Sequence, residues 1–478
     1  MLISPIRSTV DSTIVFILTY LAYALLHANR KAFGNLKPAI TQVWTVPSRN
    51  GSAHLLNSSE TWSRSPLFDS QENAAMFLGI LDSLFMASYA IGLYVSGWLG
   101  DRFNHRLVLC FGLSGSALII FLFGVVTEWT GFYNRTLYAI LWILNGFTQS
   151  TVWPSSVAIM NLWFGQFRGL VLGIWTSCAS VGNVIGDLVV GLVVSFGYHY
   201  AFLVLSVCLL GIAVVVFCGL LESPNRYVRI HSLLLSAKPD DARLLLSQES
   251  EDDQAHEPSK PLPFLNILLV PDVISCSLAY ACIKLVNYAM FFWLTFYLTE
   301  NFHWSNSDAS TFSVWYDVGG ILGGIAAGLI SDIANRHISR HAVSFFFSVA
   351  AIPALLAYRF TPGDPKDVNG LVMTLAGFFV GGPAVLISAV IAGDIGEYPE
   401  LRSSRTQATV AGIIDGTGSI GAAIGQLLIP YLGFHFNWSF VFYLFTSCMA
   451  VTSFCLIPSW IRHRRRILRT PVLVVHCE

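Results

Sequence analysis

An all-α polytopic membrane protein, built as twelve transmembrane helices in two pseudo-symmetric halves of six, is what this sequence predicts. Three observations lead there. The chain of 478 residues is 54% hydrophobic and only 12% charged, whereas a soluble domain carries about a quarter of its residues charged. Apolar windows of roughly 20 residues, the length that crosses a bilayer core as a helix, recur twelve times along it. The halves also repeat a signature, GWLGDRFNHR (97–106) after the second window and GLISDIANRHISR (328–340) after the eighth.

In order, the windows begin near residues 12, 75, 107, 137, 169 and 200, then near 273, 311, 341, 369, 406 and 438. The first, IVFILTYLAYALL, runs on into HANRK and lacks the basic lead and small-residue cleavage site of a signal peptide, so it is kept as a helix. The second ends at Gly97, with Asp101, Arg102 and Arg106 in the turn that follows; the eighth ends at Gly328, with Asp332 and Arg336 in the matching turn. Such Asp/Arg turns can hold two helices together and release them, because ion pairs at a water interface are cheap to remake. Most connections are short, so neighbouring helices pack antiparallel. Two are long, 37–73 and 222–270, and the second contains PDDARLLLSQESEDDQAHEPSKP, acidic, Ser-rich and broken by Pro, which reads as a disordered linker. The expected division is a first half at 1–221, a cytoplasmic linker at 222–270, a second half at 271–461 and a basic cytoplasmic tail at 462–478.

Most of the 27 Lys and Arg residues fall on one side if both termini are cytoplasmic, the orientation the positive-inside rule favours. The sequons at Asn50, Asn57, Asn134 and Asn437 all land on the opposite side, where glycosylation occurs, and Asn57 and Asn50 lie farthest from the membrane. The nine cysteines show no disulfide framework and read as small packing residues. No metal-ligand cluster, nucleophile motif or basic aromatic patch for nucleic acid is visible. GTGSIG (416–421) mimics a dinucleotide fingerprint, but it lies inside an apolar window, where Gly421, Gly425 and the series Gly319, Gly323, Gly324, Gly328 serve close helix approach. An enzyme and a resident cofactor are therefore not expected.

A charge at the bilayer centre costs roughly 2.5 to 3.5 kcal/mol on insertion scales, so intramembrane ions mark function. Helical spacing puts Tyr20, Tyr23, His27 and Arg30 on one face of helix 1, and Tyr280, Lys284 and Asn287 on one face of helix 7. Arg offers a planar fork of donors and Lys a compact charge, a combination suited to an anion with several oxygens. Lys31 is expected to reach outward to lipid headgroups, or else to join the same site. Asp187, Asp317 and Asp415 are intramembrane acids that either carry protons or serve as structural partners.

GWLGDRFNHR resembles the loop motif of the major facilitator superfamily, and six plus six helices about a long central loop is that superfamily's plan. NGFTQSTVWP (145–154), FVGGPAVLI (379–387) and GIIDGTGSIGAAIGQ (412–426) are similar to stretches of its organophosphate:phosphate antiporters. YALLHANRKAF, WTSCASVGN, LAYACIKLVNY and VWYDVGG resemble the eukaryotic sugar phosphate exchangers, and the resemblance runs from the first helix to the last. It implies a transporter of a small phosphorylated anion in exchange for inorganic phosphate, in contact with lipid and resident in the endoplasmic reticulum, whereas DDARLLL (240–246), with an acid four residues before Leu244-Leu245, has the pattern of an endolysosomal sorting signal. It makes helices 1 and 7 symmetry mates, so that Arg30 and Lys284 face each other across the midplane. Relatives carry a His in helix 5 where this chain has Cys178. If both cations are uncompensated, an empty carrier crosses slowly and exchange is obligatory. Proton-coupled symport through the acids, or a non-transporting subunit that kept the fold, are the alternatives.

Overall fold

The computed structural model describes residues 5–45, 67–100, 104–164, 174–221, 267–334, 339–396, 398 and 407–469. They form twelve helices. In the first half these are α1 (Pro5–Trp44), α2 (Gln71–Gly100), α3 (His105–Phe121, continued through Thr127–Thr130), α4 (Arg135–Ser150, continued as Val152–Trp163), α5 (Cys178–Val193) and α6 (Tyr198–Gly219). The second half holds α7 (Pro271–Phe302), α8 (Asn306–Ala334), α9 (Arg340–Phe360), α10 (Lys366–Val385, continued to Gly396), α11 (Gln407–His435) and α12 (Trp438–Arg469). Eleven are apolar and continuous over a bilayer's depth among the described residues; α4 is divided at Thr151. The chain is a multi-pass membrane protein.

Successive helices alternate in direction, so one end of the bundle carries the 45–70 connection and the other the two chain ends. Polar residues mark the turns: Asn104 accepts from the backbone N–H of Arg106 and Leu107 to start α3, and Asn134 accepts from Leu137 to start α4. Asn134 and Asn437 thus sit at helix starts beside the membrane, while Asn50 and Asn57 lie outside the described residues. α1 is longer than its sequence suggests. It continues through Lys37 and Pro38 to Trp44, so the long connection begins eight residues later than expected. At the far end of the linker, Ile267 is buried, four residues before the expected start of the second half; residues 222–266, with DDARLLL, lie outside the described residues. α12 carries the start of the basic tail as helix to Arg469.

Glycines set the helix spacing where predicted. A Cβ on Gly323 would lie 2.0 Å from the Phe378 carbonyl oxygen, and one on Gly421 would lie 2.3 Å from that of Ala281, so α8 meets α10 and α11 meets α7 backbone to backbone. Gly328 meets nothing within 4 Å and is not part of that seam. The GTGSIG stretch is interior α11 helix, as its apolar context required.

The ties between the halves cluster toward the end carrying the 45–70 connection. On the α1–α7 seam, Thr295 donates to Asn35 at 2.8 Å. Between α2 and α11, Ser83 donates to the Ala423 carbonyl at 2.7 Å. On the α5–α8 seam, Ser307 donates to the Gly191 carbonyl at 2.5 Å and Ser310 to the Asp187 carbonyl at 2.8 Å. Lys37 seals the same region, paired with Asp82 on α2 and lying 3.6 Å from the ring centre of Trp293 on α7.

The gate turns are described in part. Asp101, Arg102 and Arg336 lie outside the described residues, and Gly97 is described only as part of the α2 backbone. In the second half Asp332 meets Arg340 at 3.3 Å, and Arg340 reaches Asp394 on α10 at 2.6 Å. Arg340, the last residue of the quoted repeat, is the arginine that joins these helices. In the first half Arg106 donates to the Leu220 carbonyl at 3.4 Å, tying α3 to α6.

Candidate functional site

Arg30 lies midway along α1, 4% exposed. Its Nε donates to Gln149 Oε1 at 2.9 Å, and its guanidinium stacks 4.7 Å from the Tyr89 ring and 5.3 Å from Phe85. Gln149 is itself fixed: its amide nitrogen donates to Ser116 at 3.0 Å and to Asn145 at 3.2 Å, which turns its oxygen toward Arg30. The positively charged fork is thus oriented by neutral groups, and among the described residues no acid pairs with it. Its Nη2 is buried without a hydrogen-bond partner, beside a small cavity lined by Asn29, Phe33, Trp142, Asn145 and Phe292. A buried, unpartnered donor on a fixed cation is what an anion's oxygen would satisfy.

Lys284 lies on α7 and is 4% exposed. Its ammonium donates to Asp415 Oδ1 at 2.8 Å and to Ser419 at 2.9 Å, with the rings of Tyr280 and Tyr288 about it at 5.6 and 5.5 Å. Gly418 makes room for this arrangement, since a Cβ there would lie 2.5 Å from Tyr280. Tyr89 and Tyr288 each lie within electrostatic reach of both Arg30 and Lys284. Each cation is thus flanked by aromatic rings. The Asp415 side chain is 39% exposed although it sits well inside α11, so solvent enters this layer.

Two expectations are corrected here. Lys284 is not an uncompensated charge, because Asp415 neutralises it. Lys31 neither reaches headgroups nor joins Arg30: it is fully buried and faces Asp187 at 3.7 Å and Asp317 at 3.2 Å. The i to i+1 step on a helix turns it about 100° away from Arg30, toward α5 and α8. Asn35 donates to Asp187 at 2.6 Å.

The remaining predicted residues line the surroundings. Tyr23 is buried in an aromatic group with His27 and Trp153, and Tyr20 meets Ser177 at 3.0 Å. His27 Nδ1 lies 3.1 Å from Asn183 Oδ1, and the Asn183 amide donates to Asp317 at 3.1 Å. Asn287 accepts from Tyr316 at 3.0 Å. Cys178 is fully buried, and the eight described cysteines are free thiols. Gln149, Tyr89, Tyr288 and Ser419 were not singled out as site residues. Of these, Gln149 had a legible signal, a polar pair with Asn145 one turn apart in an apolar helix.

If an anion binds at Lys284, Asp415 must yield that ammonium to it, and Asp415→Asn is then expected to tighten phosphate binding by about tenfold, the worth of one charge-assisted hydrogen bond no longer displaced. Titration calorimetry with inorganic phosphate on both proteins measures this; unchanged or weaker affinity would remove Asp415 from the role of resident counter-anion.

Residues 19–402 match the Major Facilitator Superfamily. The chain is 44% identical over 471 residues to sugar phosphate exchanger 3 of Gallus gallus, covering 95% of this chain and 93% of that one. It is 35% identical over 473 residues to putative glycerol-3-phosphate transporter 1 of Arabidopsis thaliana, covering 95% and 88%. Among solved structures it is similar to a D-xylose-proton symporter with a TM-score of 0.67 at 13% identity, over 93% of this chain and 97% of that one, a likeness of fold alone.

Proposed function

The chain belongs to the Major Facilitator Superfamily, and from that premise we propose that it exchanges phosphorylated organic anions, sugar phosphates or similar esters, for inorganic phosphate by alternating access. The observation that carries the reading is Arg30, a buried and oriented guanidinium with no acid partner among the described residues and an unpartnered Nη2. Relatives named as sugar phosphate exchanger and glycerol-3-phosphate transporter supply the substrate class.

Binding is a substitution of counter-ions. The phosphoryl oxygens take the free Arg30 donor and then compete with Asp415 for Lys284, and Asp415 swings toward the solvent that already reaches it. Tyr23, His27, Tyr280 and Asn287 shape the walls. With no anion present, Arg30 alone is uncompensated in a closing, water-poor layer, and such a buried ion costs several kcal/mol. Loaded carriers therefore reorient faster than empty ones. The halves rock about this fixed site, opening and closing the Asp332–Arg340–Asp394 turn at one end and the α5–α8 seam at the other.

Proteoliposomes preloaded with phosphate are expected to take up labelled phosphate at least about tenfold faster than empty vesicles, the factor corresponding to about 1.4 kcal/mol of barrier. Equal rates would overturn exchange. Uptake driven by a pH gradient into empty vesicles would instead favour the proton-coupled symport that two carboxylates facing one lysine suggest.

Both termini are placed in the cytoplasm, with Asn57 and Asn50 as the glycosylated positions of the opposite side. The DDARLLL stretch supports an endolysosomal destination, with the endoplasmic reticulum as the other.

A further inference from the structure

We infer that His27 Nε2 accepts a hydrogen bond from a hydroxyl on the organic part of the substrate, so that the site tells hydroxylated phosphate esters from plain alkyl ones. The inference rests on the proposed exchange of phosphorylated anions and names the contact that holds the part of the substrate beyond its phosphate. His27 lies on α1 one turn before Arg30 and on the same face. Its ring packs on Tyr23, the ring centres 4.8 Å apart, and its Nδ1 lies 3.1 Å from Asn183 Oδ1 on α5. The Asn183 amide nitrogen donates in turn to Asp317 Oδ1 on α8 at 3.1 Å. These bonds pass from α1 through α5 to α8, across the meeting of the two halves, so the ring is on the inner side of the bundle and not on its lipid side.

The chain of bonds fixes which nitrogen of His27 carries the proton. A carboxylate oxygen only accepts, and the Lys31 ammonium, 3.2 Å from Asp317 Oδ2, keeps that group a carboxylate. Asn183 must therefore turn its NH2 toward Asp317 and its carbonyl oxygen toward His27, and only an Nδ1–H can face that oxygen. The fixed charge of Arg30 one turn along the helix disfavours a second cation on the ring, so the ring is neutral and Nε2 carries a bare lone pair. Nε2 makes no hydrogen bond among the described residues, and it is not sealed, His27 being 8% exposed.

Two groups of opposite hydrogen-bonding sense thus stand on one helix face. Arg30 offers only donors and His27 an acceptor, with about 4.5 Å of helix rise between their positions. A phosphoryl group brings oxygens to the first, and a hydroxyl near it brings a hydrogen to the second. An alkyl phosphate meets Arg30 equally well but takes water from Nε2 and returns no donor to it. Asn183 and Asp317 touch no substrate in this arrangement; they are positioning residues that hold the tautomer.

The test compares sn-glycerol 3-phosphate with propyl phosphate, which share a charged group and a carbon chain and differ in their hydroxyls. As competitors of labelled phosphate entry into phosphate-loaded proteoliposomes, the first is expected to inhibit at an about fivefold lower concentration than the second, the worth of about one neutral hydrogen bond. The ratio is read within each protein. His27→Phe should bring it to about one. His27→Gln, whose side-chain oxygen can accept in place of Nε2, should keep most of it, which separates a lost acceptor from a misfolded chain. Asn183→Leu should reduce it. Nitrogen NMR of the histidine-labelled full chain is the second readout, with the His27 signals identified by their absence in His27→Gln. Nε2 is expected to be unprotonated in the wild-type chain, to shift with glycerol 3-phosphate and not with propyl phosphate, and to lose its single tautomer in Asn183→Leu. An unchanged ratio in His27→Phe, a proton on Nε2, or an Nε2 signal indifferent to glycerol 3-phosphate would overturn the inference. Countertransport absent throughout while Nε2 still responds to glycerol 3-phosphate would sink only the exchange reading.

Discussion

Replacing Arg30 by alanine is expected to lower phosphate countertransport at least about 30-fold. The guanidinium is buried, has no acid partner to share, and is held by Gln149 with one donor spare. Removing one side of a desolvated, charge-assisted contact costs about 2 to 5 kcal/mol, and each 1.4 kcal/mol is a factor of ten. Arg30→Lys should recover little of the loss, since an ammonium cannot reproduce the fork that Gln149 and Tyr89 orient. Gln149→Leu should fall between the two, because it leaves the charge and removes its alignment. Initial rates of labelled phosphate entry into loaded proteoliposomes decide the matter. An Arg30→Ala protein that is folded and exchanges within a few-fold of wild type would show that the anion binds elsewhere.

Replacing Lys31 by methionine is expected to act on stability instead. The side chain keeps most of its volume but leaves Asp187 and Asp317 without their cation, and breaking a buried pair in this way costs about 3 to 5 kcal/mol. Thermal unfolding of the purified chain should shift downward clearly. Adding Asp187→Asn to the same protein should restore part of the loss, since it removes one of the stranded charges. Such recovery separates electrostatics from packing, because a packing defect at Lys31 would not be relieved by a change on α5. Wild-type melting of Lys31→Met would mean that the two acids are both neutral without help.

The predicted helix starts follow the structure closely: 75, 107, 137, 200, 273, 341 and 438 lie within four residues of the ends observed. Length and apolarity alone set them, so no tertiary knowledge was required. The end of α1 was hidden by Lys37–Pro38, which reads locally as a stop. What carries the helix on to Trp44 is distant: Asp82 neutralises Lys37 and Trp293 covers it, and a proline is tolerated where neighbouring helices surround the freed carbonyl. The site divides the same way. Arg30 and Lys284 were legible because a cation in an apolar helix is costly wherever it falls. Their partners were not, since Lys284 finds Asp415 131 positions away, and Lys31 differs from Arg30 only by one step around the helix.

The composition of the seam at the closed end has a kinetic consequence. Ser83, Ser307 and Ser310 each donate to a main-chain carbonyl of the opposite half, and Thr295 donates to the amide oxygen of Asn35. Each of these neutral bonds nets only about 1 kcal/mol, because water replaces it as soon as the helices part. They can therefore yield one after another, like the teeth of a zip, and no step strands an ion in hydrocarbon. The activation barrier to opening is spread over several small rises.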